Sequence, residues 1–382
     1  MNEKKLSKTK RHELEFPMDE NLYPILPKMW KDGWFDEFSE QHFLIRALQK
    51  DKGIWDNMER YHRVYQGIDS VTRNTFPVTF CINFSAKMNL LVDVFGEKEI
   101  KKFVCDQLSV GKKHYNESQF FEALSEIEIL VFFCQFGPGR AEGKYEPKIG
   151  KGKHNPEASL MYPEGERIDI EVKTPEFSYI HKRQSLFMPL YSLTSEGIDK
   201  FEKICKKRGL LFQRPRISKL KSFLDSACEK FIEPVNENHY NILFINWTYT
   251  EIPNRGFIEP CTILYNQYNG IFNHYGMAEK VGINNEIYKK ITAIFIFQNP
   301  FEAIAFQDLR YLFATRQAVL LLNPFILDSE EKKDNFYQTI QIRKNDFVLN
   351  EMPNLYYDIE KYSYLYCSAE LQKVINEYKI EP

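Results

Sequence analysis

Three charged side chains, Glu157, Glu171 and Lys173, are predicted to converge at the open end of one β-hairpin. A Pro-Glu-Gly-Glu turn separates two short segments of strand character, residues 158–162 and 167–173. The second segment alternates apolar with polar side chains, which places its acids and its lysine on one face. The hairpin therefore gathers two carboxylates and one amine without any long-range folding.

The register of the hairpin is predicted from its turn. Tyr162 and Arg167 flank the turn and are expected to pair, which places Glu157 beside Val172. Adjacent carboxylates repel each other unless a cation lies between them. Oxygen ligands of this kind suit Mg²⁺ or Mn²⁺, and a nearby amine can orient water or offset the charge of a phosphate. These are the parts that hydrolysis of a phosphodiester requires.

The same residues resemble the motif of the PD-(D/E)XK nuclease superfamily, which includes many restriction and repair nucleases. The matching segments are Pro156-Glu157 and Glu171-Val172-Lys173, with fourteen positions from acid to acid. The resemblance implies that Glu157, Glu171 and the carbonyl of Val172 bind the metal ion, and that Lys173 acts on the attacking water. In one departure from the family pattern, Glu157 stands where the superfamily usually has Asp.

The superfamily also carries an acid on the helix that precedes the hairpin. Residues 116–136 are predicted to form this helix, which Gly137 ends. The resemblance assigns Glu126 to support a second metal ion or to orient the first. Glu122, one turn earlier on the same side, is the alternative, and Glu128 points in roughly the opposite direction.

The order of predicted elements also resembles a restriction-endonuclease-like α/β core, in which an α-β-β-β-α-β arrangement builds a mixed sheet. The expected core elements are helix 118–136, strand 144–149, hairpin strands 157–162 and 167–173, crossover helix 217–232 and strand 241–249. Further strands are predicted at 77–84, 291–297 and 318–322, and further helices at 35–48, 97–108 and 301–313.

Three regions are predicted along the chain. They are a mainly helical N-terminal region at 1–115, the nuclease core at 116–300 with a basic helical insertion at about 175–215, and an α/β C-terminal extension at 301–382.

Two basic segments are candidates for contact with a phosphate backbone. Residues 199–221 contain nine Lys or Arg and two acids, and residues 144–154 form a basic loop just before Glu157. The candidate contact residues are Lys151, Lys153, Lys206, Lys207, Arg208, Arg214 and Arg216. A solvated helical face and a plain surface loop are the alternative interpretations of these runs.

A Glu-x-Lys triplet alone carries little information. The chain contains seven others, but only the triplet at Glu171 closes an apolar strand after a Pro-Glu hairpin. The alternative is a surface hairpin whose Glu–Lys pair is solvated. Asp169 shares the face of Glu171 and is expected either to support the site or to be exposed.

Composition excludes several other classes of protein. With 51 Lys+Arg, 53 Asp+Glu and a net charge of −2, the chain is not a uniformly basic nucleic-acid-coating protein. Seven cysteines without a C-x-x-C pair predict reduced thiols and a cytoplasmic location. The N-terminal residues lack the apolar centre of a secretory signal. The apolar runs near 127–136 and 318–327 are too short or too interrupted to span a bilayer.

We therefore expect a Mg²⁺- or Mn²⁺-dependent endonuclease that hydrolyses phosphodiester bonds, with restriction or anti-phage defence as its role by analogy. Its expected partner is nucleic acid, with DNA favoured over RNA, and no membrane. A homodimer or larger assembly would suit cleavage of both strands. The alternative is a catalytically inert protein of the same fold that binds nucleic acid or serves as an assembly subunit.

Overall fold

The computed structural model of the protein is a mixed α/β structure built on one six-stranded sheet. It describes residues 19–51, 54, 70–150, 152, 154–174, 199, 203–204, 206–207, 209, 217–247, 258–265, 270–297 and 318–341. The predicted helix at 301–313, most of the basic insertion and the chain from residue 342 onward lie outside these described residues.

Among the described residues, five helices come before the first strand, and helices and strands are interspersed after it. The helices are α1 (Leu26–Lys31), α2 (Phe43–Leu48), α3 (Ser70–Phe95), α4 (Glu97–Asp106), α5 (Glu117–Phe136), α6 (Ile217–Lys230), α7 (Ile258–Tyr265), α8 (Met277–Lys280), α9 (Ile287–Lys290) and α10 (Glu330–Thr339). The strands are β1 (Glu142–Tyr145), β2 (Ala158–Met161), β3 (Arg167–Lys173), β4 (His239–Asn246), β5 (Ala293–Phe297) and β6 (Ala318–Leu322).

The strands lie in the sheet in the same order as in the chain. β1 is antiparallel to β2, and β2 is antiparallel to β3, whereas β3, β4 and β5 run parallel to one another and β6 is antiparallel to β5. A parallel pair needs a crossover connection, and α6 lies between β3 and β4 in the chain and packs against β3. The prediction of a mixed α/β sheet is confirmed. β6, from the predicted C-terminal extension, belongs to this same sheet.

The central strands are buried on both faces, which explains their apolar composition. β4 and β5 are buried along their whole lengths, and β3 is buried at its five inner residues. A strand that is covered on both sides carries apolar residues on both faces. Any charged side chain in such a strand must find its partners inside the protein.

Helix α5 is joined firmly to the hairpin of β2 and β3. The Asn116 side chain accepts a hydrogen bond from the Gln119 backbone N–H (3.3 Å), as expected of an N-cap. At the other end, a Cβ on Gly137 would overlap the ring of Tyr162. The Tyr162 hydroxyl donates to the carbonyl of Phe133 (3.0 Å). The predicted helix is confirmed, and its end is fixed by the packing of the hairpin.

The predicted strand at 77–84 is wrong, because these residues lie inside α3. Their Val, Thr, Phe and Ile content favours a strand locally. Along the helix, buried side chains instead recur every three or four residues, at Phe76, Phe80, Phe84, Met88, Leu91 and Phe95. This stripe packs against α2 and α5, so burial at helical spacing outweighs the local preference.

One helix among the described residues is long and apolar enough to cross a membrane, by length and composition. It is Thr75–Phe95 within α3, with a mean hydropathy of 1.3. It lies outside the two apolar runs at 127–136 and 318–327. Helices that are buried in protein cores share this composition, and α3 has such a buried stripe.

The other predicted elements differ from the observed ones mainly at their ends. The strand expected at 144–149 is β1, and the helix expected over 35–48 is confined to α2. The helices predicted at 97–108 and 217–232 correspond to α4 and α6, and the strands predicted at 241–249, 291–297 and 318–322 correspond to β4, β5 and β6.

His42 is a buried histidine whose tautomer is set by two hydrogen bonds. Its Nδ1 accepts from the backbone N–H of Leu44 (3.1 Å) at the start of α2, and its Nε2 donates to the carbonyl of Leu108 (2.7 Å). Burial lowers the pKa of His42 from 6.5 to about 4. The His42 ring is therefore neutral in the folded protein near neutral pH.

We predict that His42 makes the fold sensitive to acid. Since its folded pKa lies below that of the unfolded chain, its stabilisation is complete above about pH 6.5 and is lost as the pH falls toward about 4. Chemical denaturation at about pH 7 and about pH 4.5 should show that the wild type loses roughly 2–3 kcal/mol more than His42→Asn. Equal losses would show that His42 is not responsible.

Candidate functional site

Three acidic side chains, from a helix, a strand and the loop before β2, converge where β3 runs beyond the end of β2. Glu157 precedes β2, Glu171 lies on β3 and Glu126 lies on α5. The last ladder pair between β2 and β3 is Ala158 with Ile170, so Glu157 and Glu171 follow directly at that end. Glu126 is close enough for its carboxyl group to sense both of their charges.

The hairpin is one residue out of the predicted register. Met161, rather than Tyr162, pairs with Arg167. One step past the last ladder pair, this register sets Glu157 opposite Glu171. Directly opposed residues of antiparallel strands point to the same face of the sheet. The correction therefore places the two carboxylates side by side.

The shift in register has its cause at the turn. The N–H of Tyr162 donates to the carbonyl of Glu166 (2.9 Å), and its carbonyl accepts from the N–H of Gly165 (3.0 Å). The Tyr162 side chain is buried beneath the end of α5. Packing against α5 thus draws Tyr162 out of the strand pair and into the turn.

Two ammonium groups offset the charge of the carboxylate pair. Lys173 Nζ lies 2.5 Å from Glu171 Oε1, and Lys230 Nζ lies 2.7 Å from the same oxygen and 3.2 Å from Glu157 Oε1. Lys230, the last residue of α6, therefore bridges the two carboxylates. The Glu171 side chain is fully buried, so the Glu–Lys pair is not on a solvated surface.

Glu171 has a second oxygen with unused capacity to bind a cation. Its Oε2 is buried and receives no hydrogen bond from the part of the chain that the structure describes. Burial, together with the nearby charge of Glu157, raises the pKa of Glu171 from 4.5 to about 7 despite the two lysines. A buried carboxylate oxygen without a donor is costly, and a bound cation would satisfy it.

Glu126 faces the same cluster from α5. Burial raises the pKa of Glu126 well above its ordinary value, and the charges of Glu157 and Glu171 raise it further. The Tyr145 hydroxyl donates to Glu126 Oε2 at 3.4 Å. Glu122, the alternative helix acid, is half-buried on the same helix. Burial is the larger cause of the raised pKa, and the two neighbouring carboxylates add to it.

Glu128 is accounted for elsewhere in the fold. It is buried and forms an ion pair with Lys87 of α3.

Asn246 Nδ2, at the end of β4, donates to Ser125 Oγ of α5 (3.1 Å). Because Ser125 precedes Glu126, this buried hydrogen bond helps to set the position of Glu126 over the sheet.

The carbonyl of Val172 faces the β2 side of β3. The Arg167 N–H points the other way, since it donates to the carbonyl of Asn238 ahead of β4 (2.9 Å), and the backbone groups of successive strand residues alternate. Two residues beyond Ile170, the ladder register brings Pro156 opposite Val172. Proline has no N–H to donate to this carbonyl. This suits the role of metal ligand that the resemblance implies for Val172.

Asp169 joins two strands of the sheet and is not exposed. It is fully buried and accepts hydrogen bonds from Arg167 (2.9 and 2.8 Å) and from His239 Nε2 (3.0 Å). Although burial alone raises it, these donors hold the pKa of Asp169 below its ordinary value. His239 Nδ1 accepts from the Val235 N–H (3.1 Å), so Nε2 carries the donated proton. Of the two alternatives predicted for Asp169, exposure to solvent is therefore wrong.

Two of the predicted phosphate-contact residues are described, Lys206 and Lys207, and both are exposed. The others lie outside the described residues, namely Lys151, Lys153, Arg208, Arg214 and Arg216. Contact of this basic stretch with a phosphate backbone stays a prediction.

The cluster has the donor chemistry that Mg²⁺ and Mn²⁺ prefer, namely carboxylate and carbonyl oxygens. In the described ranges, no three His, Cys, Asp or Glu side chains are grouped closely enough to hold a metal ion as they stand. The ammonium group of Lys230 takes the place between Glu157 and Glu171. The charge of this pair and the unsatisfied Oε2 of Glu171 nevertheless fit a divalent cation.

The motif does not predict Lys230 or Tyr145 as parts of the site. One signal for Lys230 is present in the sequence, because it continues the apolar stripe of α6. That buried stripe is formed by Leu220, Phe223 and Ala227. A lysine on the buried face of a helix needs a carboxylate partner. Nothing comparable in the sequence marks Tyr145.

Comparison of the chain with protein-family models, with curated proteins and with solved structures gave no match.

We predict that Glu171→Gln stabilises the metal-free protein at alkaline pH. With a raised carboxyl pKa, the stability that Glu171 contributes is complete below about pH 4.5 and is lost as the pH rises through about 7. Gln keeps the shape without the charge. In urea denaturation with EDTA, the variant should exceed the wild type by roughly 1–3 kcal/mol at about pH 8 and by little at about pH 4.5. A more stable wild type at the higher pH would contradict this.

Proposed function

We propose that the protein is a metal-dependent nuclease that hydrolyses phosphodiester bonds. The observation that carries the proposal is the carboxylate pair of Glu157 and Glu171, which the strand register sets opposite each other with the ammonium group of Lys173 against Glu171. Two opposed carboxylates that can hold a divalent cation, next to an ammonium group, are the parts from which Mg²⁺-dependent phosphodiester hydrolysis is built.

The order of elements supports a restriction-endonuclease-like core. α5, the antiparallel strands β1 to β3, the crossover α6 and the parallel strand β4 follow the order expected of PD-(D/E)XK nucleases. Glu157 in place of the usual Asp is the one departure in the motif. The longer side chain of Glu157 still reaches the ammonium group of Lys230, which also contacts Glu171.

In the proposed mechanism, Glu157, Glu171 and the carbonyl of Val172 would hold a divalent cation. A cation held there would supply Lewis-acid chemistry, lowering the pKa of a bound water and offsetting negative charge on the scissile phosphate. Lys173, whose ammonium group is held by Glu171, donates a hydrogen bond that orients the attacking water. Glu126 supports the cluster from α5, where its Oε2 accepts a hydrogen bond from the Tyr145 hydroxyl.

We propose DNA as the substrate and restriction or anti-phage defence as the role, both by analogy with the enzymes that the motif resembles. The basic stretch after β3 would lie along the phosphate backbone, and the exposed Lys206 and Lys207 belong to it. This interaction would weaken as salt is added, because binding to phosphates releases counterions.

A catalytically inert nucleic-acid-binding or assembly protein is the second candidate. The bridge from Lys230 to Glu157 and Glu171 favours it, because an internal cation already satisfies part of the charge of the pair. Such a protein would bind nucleic acid and leave it intact in the presence of Mg²⁺.

We predict cleavage of nucleic acid in Mg²⁺ or Mn²⁺ and none in EDTA. Plasmid DNA, single-stranded DNA and RNA are incubated separately with the purified protein, and gels then identify the substrate class. Lys173→Ala should lower the cleavage rate by about 100-fold or more, because the attacking water loses its orienting donor. Lys332→Ala is the matched control and should cleave like the wild type. Lys332 also ends a Glu-x-Lys triplet, but it lies in α10 and pairs with Asp328, just before that helix.

Circular dichroism of each variant shows that a loss of cleavage is not a loss of fold. Retained cleavage in both Lys173→Ala and Glu171→Ala would contradict the proposed site. Binding of nucleic acid by the wild type, with no cleavage of any of the three substrates, would favour the second candidate.

A further inference from the structure

Lys230 is a charged residue on the buried face of α6. It follows the apolar stripe of that helix, and its side chain is 17% exposed. Its ammonium group contacts both Glu157 and Glu171, whereas the ammonium group of Lys173 contacts Glu171. Lys230 therefore occupies the position at which the two carboxylates converge.

The end of α6 is packed tightly against the loop that leads to Glu157. A Cβ on Gly150 would collide with the carbonyl oxygen of His154 and would crowd that of Lys230. His154 Nε2 also lies 3.8 Å from Glu229 Oε2. The backbone of Lys230 is thus held in place, while its charge sits at the end of a flexible four-carbon chain.

The cluster needs a cation, but it does not need this particular one. Without positive charge between them, Glu157 and Glu171 would repel each other. The three carboxylates of the cluster face two ammonium groups, which leaves one negative charge unbalanced when all are ionised. A divalent cation brings a second positive charge and can also bind Glu171 Oε2, which receives no hydrogen bond within the described residues.

We propose that Lys230 is a displaceable internal cation: it holds Glu157 and Glu171 together in the metal-free protein, and a divalent cation binds by displacing it. Since this role presumes the divalent cation of the proposed function, it adds a positioning residue to that same site. Lys230 keeps the metal-free carboxylate pair intact and lowers the apparent affinity for the metal. Its flexible side chain permits the exchange, which the planar fork of an arginine would resist.

Calorimetric titration with MnCl₂ tests the displacement directly and needs no cleavage. Lys230→Met removes the competing cation and keeps most of the apolar side chain, so it should bind Mn²⁺ about tenfold more tightly than the wild type, or better. Lys219→Met, an exposed position on the same helix, is the matched control and should bind like the wild type. Lys230→Arg should bind more weakly than the wild type, because arginine pairs with carboxylates through two donors.

A second measurement uses the wild type alone, so that it does not depend on the folding of any variant. Acetylation of lysines by an amine-selective reagent is followed by mass spectrometry with and without Mn²⁺. Displacement should increase the reactivity of Lys230 several-fold and leave that of Lys219 unchanged. Unchanged reactivity of Lys230 at saturating Mn²⁺ would overturn the proposal.

The possible results separate this inference from the proposed function. Equal Mn²⁺ affinity in the wild type and Lys230→Met would overturn displacement by Lys230 and leave the metal-dependent function standing. Weaker binding in Lys230→Met would do the same, since it would mean that Lys230 helps to build the site. Absence of Mn²⁺ binding in the wild type and in Lys230→Met would overturn both.

Discussion

The site depends on the cost of holding carboxylates together where there is little water. Glu171 is fully buried, and its pKa rises to about 7 even though Lys173 and Lys230 lie against it. Burial and neighbouring negative charge both oppose its ionisation, and a cation offsets both effects. The pair of Glu157 and Glu171 therefore requires a cation. Lysine meets this requirement in the structure, and a divalent metal ion meets it in the proposed enzyme.

The fold presents this pair by ending one strand before its neighbour. β3 continues past β2, and Pro156 cannot extend the ladder by donating to Val172. α5 brings Glu126 to the same place because Tyr162 ties the helix end to the hairpin and Asn246 ties its middle to β4. The parallel strands behind the pair are buried on both faces, so the carboxylates stand on a rigid support.

Local sequence patterns predicted most of the helices and strands. Packing between elements that are distant in the sequence explains the predictions that were wrong. The turn and the alternation of polar residues predicted the hairpin. The predicted register of the hairpin was wrong because the Tyr162 hydroxyl donates to the carbonyl of Phe133 on α5. The sequence of the hairpin alone does not reveal this contact. The strand predicted at 77–84 is helical because its buried side chains pack on other helices. Lys230 lies 73 residues from Glu157, and their contact depends on the finished fold.

The most direct test locates a divalent cation in the intact protein. Crystals grown with MnCl₂ would be measured near the manganese absorption edge, where anomalous scattering identifies the ion. We expect one peak between the carboxylates of Glu157 and Glu171, with the ammonium group of Lys230 turned away from both. A peak only elsewhere, or none, with Lys230 still in contact with both carboxylates, would contradict a metal site built on this pair.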